Sequence, residues 1–431
     1  MRIIRDNYLL DAHEPCLNNA GQTGALDIWV QPPIAGTLRI FYSIGGSAQN
    51  GVDYTNISNS VLVPGGVGRV QAFIEPYSDN EFELDESVTL TLVGTNRYVV
   101  DPDSPSATLW IKDCTTNLST VVATNVPSPV GIDYQPTSRC LLLSVNYDGG
   151  GEPRNFALLD TNHNLTYWSG LHGVAAGKEV KIATVKSTAN GFTNGDLYFD
   201  NGSSGGVGWV SANGTVTEIN WGGNSALTNE PDLLGGSLYV DQTGIWNNDL
   251  LAVTGDEAPL NEGTRGVWRI HSRTNATQLV RIDSRHLEGI LTVPEETRYG
   301  PWAGKLLTGD EFLHVIYAVD TNGVITPYYL GIDPDTLLLI PEDEDLYCVD
   351  FRSAHSLVLK LDRRILADHI GDILVVQAGE EPSPTPGPVI FIIRWTEGGF
   401  RTWSIPLNDH FPAPDFFEKA AFAPLSLPTI N

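Results

Sequence analysis

One strand type recurs along the chain and limits what it can fold into. The segments CLLLSVNY, DLYFDNG, DLLAVTGDE, KLLTGDE and DILVVQAGEE are counted from Leu141, Leu197, Leu250, Leu306 and Ile373, at intervals of 56, 53, 56 and 67 residues. Each is followed by another apolar strand (FALLD, VGWVS, GVWRI, HVIYAVD, VIFIIRW) and then by a turn (TNHN, SANG, SRTN, DTNG, TEGG). The Asn-Gly and Gly-Gly turns supply the positive φ that tight hairpins require. A further strand follows, as in TVTEI and VITPYY. One such four-stranded unit cannot bury its own faces, whereas radial stacking of several buries them all. Residues 117–431 are therefore predicted to form a β-propeller of five or six blades. EKAAFAP near the C-terminus resembles the inner strand GIDYQP and hints at the sixth.

Residues 1–116 have a different texture. ALDIWVQ, TLRIFYSI, GRVQAFIE, ESVTLTLVG and SATLWIKD alternate apolar and polar residues, with Val88, Leu90 and Leu92 on one face and Ala107, Leu109 and Ile111 on another. Around seven short strands in this length predict a β-sandwich. The chain is 41% hydrophobic and 18% charged, and lacks long helical Ala/Glu/Lys/Leu stretches, so the class is all-β. The formal charge of −27 argues against nucleic-acid and anionic-membrane partners, which need clustered Lys and Arg. No stretch reaches the roughly 20 apolar residues of a membrane span.

The first part resembles a Calx-β domain, the calcium-binding sandwich of sodium–calcium exchangers. GVDYTN, VLVPGG, FIEPYSDNEFELDESVTLTL and ATLWIKD carry the resemblance, over roughly residues 10–115. It implies an immunoglobulin-like sandwich and calcium as cofactor, with ligands at Glu14, Asp53, Asp79, Glu83, Glu86 and Asp113. The acidic loop SDNEFELDES would then be one wall of a site with the oxygen-rich shell that calcium prefers. A solvated acidic loop is the alternative. The chain has Ser78-Asp79-Asn80 where the family often has consecutive aspartates.

In the propeller, TGDE occurs twice at equivalent strand ends, and GEE once. Asp256, Glu257, Asp310, Glu311, Glu380 and Glu381 would form a partial acidic ring on one rim, able to hold a cation as in calcium-dependent propeller lactonases. Ordinary Gly-Asp turn chemistry is the alternative. Sequons at Asn56, Asn117, Asn164, Asn201, Asn213 and Asn275 suggest a glycoprotein. Cys16 with Cys114, and Cys140 with Cys348, could form two disulfides, or all four could be buried thiols. These features point to an extracellular or cell-surface location, although MRIIRDNYLLDAHEPC lacks the roughly 7–15-residue apolar core of a secretory signal.

No P-loop, dinucleotide fingerprint or HExxH is present. The reading that follows is a non-catalytic structural or adhesive protein contacting carbohydrate or a cell-surface protein. The strand-like segment RIIRDNYLLD, residues 2–11, suggests self-association: lent to a neighbour's sheet, it would generate a head-to-tail filament. Alternatively it is the sandwich's own first strand. Two other functions stay open: a metal-dependent propeller hydrolase or lactonase, and a carbohydrate-binding propeller using Trp209, Trp268 and Trp302. The lactonase requires oxygens converging in the channel. The carbohydrate reading requires those tryptophans to line a groove rather than pack between blades.

Overall fold

A computed structural model describes residues 1–425 except 6–10, 16–20, 79–85, 113–118, 147–154, 169–178, 202–205, 224, 231–235, 256–263, 285, 311, 351–355, 379–387 and 406–416. The chain divides into two compact units, Met1–Leu118 and Ser119–Asn431.

The first unit is a sandwich. One sheet has three strands, with Gly24–Trp29 between Arg2–Arg5 and Arg69–Ile74. The other has five, in the order Ala12–His13, Ser106–Lys112, Glu86–Val93, Leu38–Gly46, Ser60–Val63. Val88, Leu90 and Leu92 are buried while Thr89 and Thr91 between them are half-exposed, as period-2 alternation requires. With Ile3, Leu26, Ile28, Ile40 and Leu109 they fill the core. Arg2–Arg5 pairs antiparallel with Gly24–Trp29 of its own unit, Ile3 opposite Ile28, and Ile3 is buried. This is the arrangement of the alternative reading, the segment as the sandwich's own first strand; residues 6–10 of that segment lie outside the described residues.

The second unit is a propeller of six four-stranded blades. The inner strands are Ile132–Gln135, Ile182–Thr184, Ser237–Val240, Glu288–Thr292, Thr336–Leu339 and Lys419–Ala423. They neighbour one another in that order, and the last returns to the first, so the ring is closed. Blade 6 provides the closure. Its inner strand is Lys419–Ala423, its outer strand is Ser119–Ala123 at the start of the unit, and Asp345–Asp350 and Leu357–Leu361 lie between. These two middle strands are inserted between the first and second strands of blade 5, Thr336–Leu339 and Ile373–Gln377. The longer last interval in the repeat is this insertion.

A buried aspartate stands at the entry to four second strands, and each is satisfied by its own surroundings. Asp196 accepts from Trp209 Nε1 at 2.8 Å and Ala212 N at 2.9 Å. Asp345 accepts from Arg363 N at 2.9 Å. Asp372 meets Arg394 at 2.7 Å and His369 at 3.0 Å. Asp249 meets Arg269 and His271 at 2.8 Å each, and Asn190 of the preceding blade at 2.8 Å. These carboxylates tie turns to strands where the blades are stapled together. Asp249→Ala leaves Arg269 without its buried partner and should cost about 3 kcal/mol, read as a lower urea midpoint for the propeller. Glu397→Ala, at an exposed hairpin, should stay within about 0.5 kcal/mol.

Candidate functional site

The six inner strands surround a central cavity of about 590 Å³. Half-buried Asp133, Lys186 and Glu344 line it at one end. Buried Lys181 and Asp335 and half-buried Lys419 line the other, where the inner strands begin. A residue that opens an inner strand projects toward the axis, so charges placed there by distant parts of the chain are forced together.

Lys181 Nζ pairs with Glu288, with Glu418 Oε1 at 3.0 Å and with Glu179 Oε2 at 3.3 Å. Lys419 Nζ lies 3.0 Å from Glu288 Oε1, 2.6 Å from Asp335 Oδ1 and 2.9 Å from the Asp335 carbonyl. Glu288 thus bridges both ammonium groups. A bulge aims it there: the register shifts between Glu288 and Ile290, and Gly289 takes φ +63°, the left-handed conformation that suits glycine. Gly289 N donates to Ser237 Oγ at 2.9 Å, which fixes the bulge to blade 3. His286 Nε2 stands 3.8 Å from Glu288 Oε1.

Burial penalises every charge here, and the partners decide which survive. Burial works against the Lys181 ammonium, but Glu288, Glu418, Glu179 and Asp335 outweigh it and hold its pKa well above the usual value. For Lys419, Asp335 and Glu288 likewise outweigh burial. Burial would raise Glu288, yet the two ammonium groups hold it well below the carboxylate range. Asp335 goes the other way: burial and the Glu288 charge push it well up, against the pull of Lys419. Burial pushes Glu418 up to about 7, with Glu179 and Glu288 adding to it and Lys181 opposing. The carboxyls are thus pushed apart, Glu288 down and Asp335 and Glu418 up, by the same two ammonium groups and the same burial. Among the described residues, Thr336 Oγ1, also lining the cavity, is buried without a hydrogen-bond partner.

None of these residues was among those expected from the sequence. Their common feature was visible, however: KIATV, EGILTV, DTLLLI and KAAFA each begin with a charge ahead of an apolar inner strand.

The expected sites are placed as follows. Of the acidic rim, Asp310 is buried and turned to its own blade, accepting from Ser284 Oγ at 2.5 Å and Leu313 N at 2.9 Å. Asp256, Glu257, Glu311, Glu380 and Glu381 lie outside the described residues. Of the sandwich ligands, Asp79, Glu83 and Asp113 lie outside them too. Glu14 follows the strand that pairs parallel with Ser106–Lys112, its N–H donating to the Lys112 carbonyl at 3.0 Å. Glu86 opens the next strand at the same end, opposite Ile111. Asp53 Oδ2 accepts from Gln49 N at 2.5 Å. Burial, then the charges of Asp53 and Glu86, push up the neighbouring Tyr54 hydroxyl. The three carboxylates share one region of the sandwich, but among the described residues only Glu179, Glu288 and Glu418 bring ligand atoms within 4.8 Å of one another.

Asn164, Asn213 and Asn275 are exposed in equivalent hairpins of three blades, and Asn56 is also exposed. Asn201 is buried and donates to the Ile219 carbonyl at 2.5 Å; Asn117 lies outside the described residues. The Cys140–Cys348 disulfide is corrected, since both thiols are free. Cys140 Sγ faces its own turn, 3.3 Å from the Ser138 carbonyl, and Cys348 is buried within blade 6. Cys16 and Cys114 lie outside the described residues. Trp268 donates to Glu230 at 2.9 Å, Trp209 donates to Asp196, and Trp302 stacks on Phe400 at 3.9 Å, so these rings fasten blades rather than line a sugar-binding groove.

No family model matches the chain, and no curated protein matches it. Solved structures do. Virginiamycin B lyase from Staphylococcus aureus is 9% identical, with a TM-score of 0.37, covering 90% of this chain and 90% of that chain. A gluconolactonase from Xanthomonas campestris is 11% identical, with a TM-score of 0.35, covering 67% of this chain and 89% of that one. The apo form of the Calx CBD1 domain is 18% identical, with a TM-score of 0.21, covering 27% of this chain and all of that one. At these identities the likeness concerns fold, a β-propeller over most of the chain. The expectation of a non-catalytic structural or adhesive protein is nevertheless corrected. The propellers it matches are enzymes, and its channel ends in buried carboxylates and ammonium groups.

The protonation pattern makes a stability prediction. Asp335→Asn, at the carboxyl that burial and the Glu288 charge push well up, should cost under about 1 kcal/mol, whereas Glu288→Gln strips the Lys181 and Lys419 ammonium groups of their shared partner and should cost about 3–5 kcal/mol. Urea unfolding of the two variants reads the difference, and the reverse order would contradict the assignment.

Proposed function

We propose that the propeller is a hydrolase for small esters or lactones, acting at the charged end of the channel. The observation that carries this reading is the place of Glu418: a buried carboxyl, pushed by burial up to about 7, lies 3.0 Å from a buried ammonium group lining the cavity. Such a group is matched to proton transfer near neutral pH. As a carboxylate, Glu418 takes a proton from water as the water oxygen adds to the acyl carbon. Lys181 and Lys419 stabilise the negative charge that develops on the acyl oxygen. Asp335, whose pKa burial and the Glu288 charge push up, donates a proton to the departing oxygen, and Glu288 keeps both ammonium groups charged and in place. A cavity of about 590 Å³ suits a small substrate rather than a polymer.

Hydrolysis of γ- and δ-lactones and of a p-nitrophenyl ester tests this. The rate should rise with pH through about 7 as Glu418 loses its proton. Glu418→Gln should lose roughly 100-fold or more and abolish that step. No hydrolysis of any panel member by the wild-type protein would overturn the reading.

We also propose that the sandwich binds calcium where Glu14, Asp53 and Glu86 share one region, carboxylate oxygens being the ligands that hard cation prefers. Calorimetric titration of the full chain with Ca²⁺ should show binding that Asp53→Asn combined with Glu86→Gln weakens about tenfold or more. Equal affinity in both proteins would remove those residues from the site.

A further inference from the structure

The Glu179, Glu288 and Glu418 carboxylates converge as ligands to a divalent cation would, their oxygens within 4.8 Å of one another. The point between them is taken. Lys181 Nζ contacts all three, pairing with Glu288 and lying 3.0 Å from Glu418 and 3.3 Å from Glu179. Its side chain is 2% exposed, so leaving would place the ammonium in a packed interior. Lys419 stands on the far side of Glu288, 3.0 Å away, and claims Asp335 as well. A divalent ion entering this set would therefore meet two ammonium groups, and its carboxylate oxygens are already committed as acceptors.

We infer that Lys181 is a built-in cation: its ammonium holds the position a divalent metal would take, the propeller site holds no metal, and neutralising this one residue creates a site for a hard divalent ion such as Ca²⁺ or Mn²⁺. The inference goes beyond the hydrolase reading and stands apart from it, because its test counts ions and needs no substrate. A lysine is a compact point charge on a flexible stem, with three donors for three carboxylates. Removing it leaves hard oxygen ligands of the kind such ions select.

The full-length chain is dialysed against Mn²⁺, and the bound metal is counted by elemental analysis. Any ion in the sandwich is common to all variants and cancels in the comparison. Wild type and Glu179→Gln should bind equal amounts. Lys181→Met should bind one equivalent more than wild type, and Lys181→Met combined with Glu288→Gln should lose it again. If Lys181→Met unfolds in chelator but folds when Mn²⁺ is added, with the extra equivalent bound, the inference holds equally. Lys181→Arg, which keeps the charge, should gain no ion. One equivalent more in wild type than in Glu179→Gln would show that an ion displaces the lysine and would overturn the inference. So would a folded Lys181→Met with no added metal.

Discussion

The propeller depends on a charge balance at one end of its channel. Six inner strands begin at a single ring, and what opens them must either be small or be paired. Blades 1 and 3 supply Gly131 and Ser237, while blades 2, 4, 5 and 6 supply Lys181, Glu288, Asp335 and Lys419. In a medium of low dielectric an unpaired member of this set would be far costlier than the whole network. Burial and Coulomb forces therefore sort the carboxyls: the two ammonium groups hold Glu288 well below the carboxylate range, burial and Glu288 push Asp335 well above it, and Glu418 is pushed up to about 7. Catalytic sites use the same logic, in which neighbouring acids are given different roles by different surroundings.

The blades were legible in the sequence because each is a local object. A hairpin of apolar strands with a Gly or Asn turn can be read in a window of about 20 residues. Blade 6 was harder to see, since it is assembled from strands at residues 119–123, 345–361 and 419–423, and only a short resemblance marked its inner strand. The site was harder still. Lys181 meets Glu418 across 237 residues, and Lys419 meets Glu288 across 131. No spacing rule links such pairs. Only alignment of the six inner strands would have shown that charges repeatedly occupy the same structural position.

The sequence's most conspicuous acids proved the less informative ones. TGDE repeats attract attention as a motif, yet the one described aspartate among them, Asp310, is absorbed by its own blade through Ser284 and Leu313. Likewise the aspartates that open second strands are buried staples: Asp249 and Asp372 hold arginine and histidine side chains rather than facing a ligand. The N-terminal strand shows the same difference between pattern and partner. Arg2–Arg5 forms a strand, and its pairing with Gly24–Trp29 of the same unit is not readable from the segment alone.

The central claim concerns where the protons sit in the channel, and carboxyl-selective NMR of protein carrying ¹³C-labelled glutamate tests it most directly. The account predicts one glutamate side-chain resonance with a titration midpoint near 7 that disappears in Glu418→Gln. If that substitution removes only a resonance titrating in the ordinary carboxylate range, Glu418 is an ordinary paired acid and the proposed chemistry has no base.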